Sequence, residues 1–140
     1  MADAITTSGT FQFELVSPER VLVSEQAKLV TVPGTAGDFG VLPLHSPLLS
    51  AIRPGVVTVN AADGAVRRIF VAGGFADVSP ESCTVLAEEA VAVEELDRAK
   101  LQDALKGFED DLAFAKDDAL KLSQVQRQIE ITRAKIQAAA

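Results

Sequence analysis

Gly55-Val-Val-Thr-Val-Asn-Ala-Ala-Asp-Gly-Ala-Val-Arg-Arg-Ile-Phe-Val71 is the stretch whose reading decides the fold. Two runs rich in β-branched residues, Gly55 to Asn60 and Ala65 to Val71, flank Ala61-Ala62-Asp63-Gly64. Asp-Gly supplies the positive φ that a hairpin reversal needs, so the stretch predicts two antiparallel strands. The same texture extends to both sides. Towards the N-terminus, Phe11, Phe13 and Leu15 alternate with Thr10, Gln12 and Glu14, the period of a strand with one buried face. Val21 to Ser24 and Ala27 to Val32 read as two further strands, with Ser17-Pro18-Glu19-Arg20 as the reversal before them. Towards the C-terminus, Phe75 to Val78 and Cys83 to Ala87 bracket the Pro-marked turn Ser79-Pro80-Glu81-Ser82. Short strands at this spacing, about 8 to 12 residues, predict an all-β sandwich from Phe11 to Val93.

The texture changes near residue 95. Beyond Leu96 there is no Pro and a single glycine, Gly107, while Ala, Leu, Lys, Glu and Gln dominate. Leu101, Ala104, Leu105, Phe108, Leu112 and Ala115 fall on one helical stripe, and Leu122, Val125, Ile129, Thr132 and Ile136 on another. Lys116-Asp117-Asp118 offers a basic end to the first helix and an Asp cap to the second, which predicts a helical hairpin turning there. A turn at Gly107 with a longer second helix is the alternative. The expected architecture is thus β + α: a β-sandwich over residues 1–93, followed by an antiparallel two-helix hairpin over residues 94–140.

The 140 residues carry 13 Lys and Arg against 20 Asp and Glu, a net charge of −7. That balance speaks against nucleic acid, whose binding needs clustered cations to displace counterions, and against an anionic lipid surface. With one cysteine and one histidine in the chain, neither an internal disulfide nor a Cys/His metal site is expected. Cys83 reads as a small core hydrophobe, since no basic residue lies near it in sequence to stabilise a thiolate. The start of the chain has no basic and apolar signal segment, and no run of 18 apolar residues occurs, so no direct membrane insertion is expected.

Catalytic motifs are sought in vain. Gly34-Thr-Ala-Gly37-Asp-Phe-Gly40 lacks the lysine and the following helix of a phosphate loop and reads as an ordinary loop. His45 adjoins Ser46, but neighbours in an extended segment point to opposite sides, so a Ser/His relay is not expected and His45 reads as structural or interfacial. Glu88-Glu89 and Glu94-Glu95 lack a third ligand at a defined spacing. The acidic excess lies wholly before Asp97, and the second helix carries Lys121, Arg127, Arg133 and Lys135 against Asp118 and Glu130. Its polar face is either solvated charge or a surface for an acidic partner.

Two blocks carry a resemblance. Pro33-Gly-Thr-Ala-Gly-Asp-Phe-Gly-Val-Leu-Pro-Leu-His-Ser-Pro-Leu-Leu-Ser-Ala-Ile-Arg-Pro-Gly55 strongly resembles the hallmark loop of the epsilon subunit of F-type ATP synthases. So do Phe70-Val-Ala-Gly-Gly-Phe-Ala-Asp-Val78 and Thr84-Val-Leu-Ala-Glu-Glu-Ala90. The resemblance implies a sandwich of about ten strands seated on the gamma subunit and against the ring of c subunits. It implies a non-catalytic rotor part that passes proton-driven rotation to gamma, peripheral on the cytoplasmic face of a bacterial inner membrane. By the same resemblance Asp38 is the acidic residue facing the polar loops of the c-ring, with Gly40 and His45 in the matching loop. Leu44 departs from the pattern, because the family commonly has Gly before that His, the residue that tolerates positive φ. The hairpin is implied to lie folded or to extend transiently to the alpha and beta subunits of the catalytic head and block hydrolysis, with Arg127, Arg133 and Lys135 as contacts. The family's ATP motif at the start of the first helix is degenerate here, retaining Glu95 and Arg98, and no cofactor is expected. The rival without the resemblance is a free-standing sandwich adaptor or small-ligand sensor with an accessory hairpin.

Overall fold

In the computed structural model, residues 9–139 are described. The opening residues 1–8, read above for a signal segment, lie outside them. The chain divides between Ala92 and Val93 into two compact units.

The first unit is a β-sandwich of nine strands among the described residues, where the resemblance implies about ten. They are β1 (Phe11–Val16), β2 (Val21–Gly34), β3 (Gly37–Val41), β4 (Leu48–Ile52), β5 (Gly55–Ala61), β6 (Val66–Val71), β7 (Gly74–Val78), β8 (Ser82–Ala87) and β9 (Ala90–Ala92). Three reversals follow the turn residues as expected: β1 with β2, β5 with β6 and β7 with β8 are antiparallel pairs. Gly64 takes φ 94° and its N–H donates to the Ala61 carbonyl, while the Asp63 carboxylate accepts from the Ala65 N–H. Adjacent strands order as β1-β8-β7-β4-β2-β5-β6-β9, with β3 on β2 and β1 also pairing with β2.

Two expectations are corrected. Val21 to Ser24 and Ala27 to Val32 are not separate strands but one, β2, of 14 residues. Glu25 and Gln26 between them contain no turn residue, and the ladder to β1 runs through both. A register irregularity between Ala27 and Leu29 marks where β2 passes from β1 to β5. The Gly34 to Gly40 segment is not a loop but a hairpin of β2 with β3, turning at Thr35-Ala36. Gly37 sits at φ 133°, and a Cβ on Gly34 would lie 2.8 Å from the Gly37 carbonyl oxygen, so the reversal closes only without side chains.

The core is apolar. Phe11, Phe13 and Leu15 of β1 alternate with half-buried neighbours as their period requires and meet Val30, Val32, Val57, Val59, Val71, Val78 and Val85 in one cluster. β1 runs parallel to β8, a long-range pairing that sets Phe13 beside Cys83. At the rim Arg67 of β6 donates from Nε to Glu25 of β2 at 2.8 Å.

The second unit opens with a single 3-10 turn, Val93–Glu95, followed by α1 (Arg98–Phe114) and α2 (Ala119–Ala139). Asp97 caps α1, its side chain accepting from the Lys100 N–H at 3.2 Å. Asp118 caps α2 by accepting from the Leu120 and Lys121 N–H groups, both at 3.1 Å. The turn therefore lies at Ala115 to Asp118. Gly107 stays inside α1 on an open face, at a helical cost of about 1 kcal/mol. Leu101, Leu105, Phe108 and Leu112 of α1 are half-buried, and Ile129 of α2 is buried, but Ala104 is exposed and leaves the expected stripe. Glu109 and Arg133 pair at 3.5 Å between the antiparallel helices.

Burial and, secondarily, the charge of Asp77 push the Cys83 thiol up to about 12. An unfolded chain sheds this proton near the ordinary value of 9.0, so above that pH the folded state binds more protons than the unfolded one. The stability held by the neutral thiol is thus complete below pH 9 and is lost as pH rises towards 12. Denaturant melts at pH 8, 9.5 and 11 are expected to show that fall, steeper than in Cys83→Ala. Alkylation of Cys83 at pH 8 should proceed at the rate at which the sandwich opens.

Candidate interaction site

Asp38 sits on β3 one residue from the Thr35-Ala36 reversal, where it pairs with Pro33 and its side chain is 62 % exposed. Arg53, between β4 and β5, reaches across the hairpin to it. Its Nη2 donates to Asp38 Oδ1 at 2.5 Å and its Nη1 to the Gly34 carbonyl at 2.6 Å. The backbone repeats the link: the Arg53 N–H donates to the Pro33 carbonyl and the Thr35 N–H to the Ala51 carbonyl. The hairpin tip is thereby tied to the end of β4 by four hydrogen bonds, two from a single guanidinium. Arg53 went unread in sequence because it lies 15 residues from Asp38. The available signal was that it is the only Lys or Arg between Lys28 and Arg67.

Gly40 lies two residues along β3, exposed and opposite Thr31. A Cβ there would find ordinary contact with Leu29 at 3.4 Å, so its backbone makes no special demand. His45 follows in a tight turn beyond β3. Its N–H donates to the Leu42 carbonyl at 3.2 Å, and its Nδ1 donates to the Ser46 carbonyl at 2.6 Å rather than to the hydroxyl a relay would need. The Leu44 N–H donates to the Pro80 carbonyl in the β7–β8 turn. That turn follows Val78, the β7 residue opposite Leu48 at the start of β4, whereas Arg53 follows Ile52 at its end, so the Asp38 and His45 anchors lie at opposite ends of β4.

With Pro43 at the second position and Leu44 at the third, Leu42 to His45 form a type II turn. Leu44 occupies the third position at φ 66° while 62 % exposed, the sole non-glycine with positive φ among the described residues. The departure from Gly noted in the sequence therefore leaves the turn intact and strains it. Leu44→Gly should stabilise the chain by about 0.5–1 kcal/mol, the left-handed cost relieved less the extra unfolded entropy of glycine. A denaturant titration reads this as a higher midpoint with unchanged slope.

The remaining candidates lie in the second unit. Arg133 is the partner of Glu109, and Arg127 lies on the same helix six residues earlier. Lys135 is half-buried. Glu95 ends the 3-10 turn and Arg98 opens α1, both exposed, with the capping Asp97 between them. Among the described residues no group of three or more His, Cys, Asp or Glu is placed to hold a metal, and no helix is long and apolar enough to cross a membrane.

Residues 10–93 match the family described as ATP synthase, Delta/Epsilon chain, beta-sandwich domain. The chain is 53 % identical over 108 residues to an ATP synthase epsilon chain of Mesorhizobium japonicum, covering 77 % of this chain and 80 % of that relative. It is 49 % identical over 117 residues to the ATP synthase epsilon chain of Rhodospirillum rubrum, covering 84 % and 87 %. Among solved structures it is similar in fold to a chain of the Euglena gracilis mitochondrial ATP synthase, OSCP/F1/c-ring in rotational state 1. That match has a TM-score of 0.83 at 24 % identity, over 94 % of this chain and 82 % of the other. A chain of the Tetrahymena thermophila mitochondrial ATP synthase central stalk/c-ring matches with a TM-score of 0.67 at 10 % identity, over 93 % and 96 %. By half-identity over most of its length and by the family match across the whole sandwich, this chain belongs to the ATP synthase epsilon chain family.

Proposed function

We propose that this chain is the non-catalytic central-stalk subunit of a bacterial F-type ATP synthase, its sandwich standing between gamma and the c-ring and passing rotation from one to the other. The observation that carries this reading is the identity of 53 % over 108 residues with an epsilon chain. A part in a rotor must carry load without shearing, and the geometry suits that task. The Asp38 hairpin is no free loop: backbone and guanidinium hydrogen bonds join it to β4, and the β-ladder continues from there through β7 and β8 to β1. Strands joined in this way yield only when several backbone hydrogen bonds break together.

In this reading Asp38, Gly40 and His45 face the c-ring and gamma, and residues 1–93 form the docking domain. Residues 94–140 are the regulatory element. Folded, the hairpin keeps Arg133 on Glu109. Extended, it offers Arg127, Arg133 and Lys135 to acidic surfaces of the alpha and beta subunits and brakes hydrolysis. Each helix has one apolar stripe, so neither is stable alone and the hairpin has the lean packing a two-state element requires. The chain works at the cytoplasmic face of the inner membrane, held there by its partners. ATP binding is no part of the proposal, because Glu95 and Arg98 keep only fragments of a nucleotide motif.

The test is a titration of a gamma-containing catalytic core with the full chain and with a version ending at Ala92, following binding by gel filtration and ATP hydrolysis in parallel. Binding by both with inhibition by the full chain alone is the expected result. Binding without inhibition would leave the rotor role and remove the brake, and absence of binding by the full chain would overturn the reading.

A further inference from the structure

We propose that Arg53 is the positioning residue of the Asp38 contact: it presents the carboxylate as one half of a neutral, hydrogen-bonded pair, locked in direction, to the polar loops of the c-ring. The inference rests on the reading of Asp38 given above and names what makes that residue work.

Three features carry it. A guanidinium is a planar fork that can satisfy two acceptors at fixed angles, and Arg53 uses both arms, one on the side chain of the hairpin and one on its main chain. The carboxylate and the Gly34 carbonyl are thereby held in one rigid unit. The base of the fork is itself immobile. The Arg53 N–H is committed to Pro33, Pro54 restricts Arg53 to extended backbone, and a Cβ on Gly55 would lie 2.9 Å from that of Pro33, so the two chains cross without slack. Exposure is the third. With side chains 43 % and 62 % exposed, the pair is screened by water and adds little to folding, so stability does not explain its geometry.

The chemical consequence concerns the partner. A lone carboxylate approaching a polar loop must shed its water and finds its own orientation, whereas a carboxylate already paired to Arg53 carries no net charge into the contact. It offers an oxygen acceptor beside N–H donors in one plane. The matching surface is a polar loop whose hydrogen-bond donors meet the free carboxylate oxygen in that plane. Arg53→Lys keeps the charge but not the fork.

The experiment uses the ATP synthase complex depleted of this chain and rebuilt with the full chain. The variants are Arg53→Gln, Arg53→Lys, Asp38→Asn and the Arg53→Gln/Asp38→Asn pair. Rebinding affinity, protons pumped per ATP hydrolysed and the melting temperature of the free chain are read for each. Arg53→Gln should weaken rebinding about tenfold, as expected for loss of one charge-assisted hydrogen bond, and lower pumping, with the melt unchanged. Arg53→Lys, which keeps the charge but not the fork, should recover part of the affinity. The double variant should bind no more weakly than Asp38→Asn. Normal rebinding and pumping by Arg53→Gln beside a defective Asp38→Asn would overturn the role of Arg53 and leave the Asp38 contact standing. Additive losses in the double variant, or a lowered melt that accounts for the defect, would equally overturn it. Normal behaviour of Asp38→Asn would remove the contact itself, and this inference with it.

Discussion

The sandwich depends on the continuity of β2. Its 14 residues pair with β1 along their first half, with β5 through the middle and with β3 near the end, and at Gly34 touch Ile52 of β4. One strand thus pairs with four others and belongs to both layers. The irregularity at Lys28 is where it passes between them, since a bulge adds the local twist that lets a strand leave one sheet for the next. With the path β4-β7-β8-β1 returning to β2, the pairing closes on itself and protects most of the strand edges.

Closure at β2 also makes the candidate interaction site. The end of the strand turns back as β3, and its tip lies where β4 ends, so that Arg53 of the connection to β5 falls within reach of Asp38. The hairpin borrows rigidity from a strand that enters the sheet through another pairing. His45, although close in sequence, is anchored elsewhere, through Leu44 to the β7–β8 turn. Two separate anchors on one short element suit a surface that must resist torsion rather than close around a ligand. The helices are built on the opposite plan, with Asp97 and Asp118 supplying clear ends and a half-buried seam between them.

Much of this was legible in the sequence where one residue's chemistry acts locally. The alternation of Phe11, Phe13 and Leu15, the Asp63-Gly64 reversal, the capping Asp118 and the core character of Cys83 all follow from properties that operate within a few residues. The turn could not be chosen between Gly107 and Asp118 by stripe alone, since apolar period continues past a single glycine; the cap geometry decides it. The Gly34 to Gly40 hairpin was missed because glycine marks irregular backbone and tight hairpins alike, and only the ladder to β2 separates them. Ala104 left the stripe for a related reason, as period assigns a face but not the depth to which a neighbour covers it.

What the sequence by itself determined is the division into a β part and a helical part, and the family, because these rest on local period and on motifs written in contiguous residues. What only the tertiary structure decided is the union of two predicted strands into β2, the parallel pairing of β1 with β8, and the hold of Arg53 on Asp38. Each depends on which distant segments share hydrogen bonds, and backbone pairing carries almost no side-chain signature. The strain at Leu44 belongs to the same class: a leucine takes φ 66° because Pro43 precedes it and the Pro80 carbonyl receives its N–H, and neither constraint is a property of leucine.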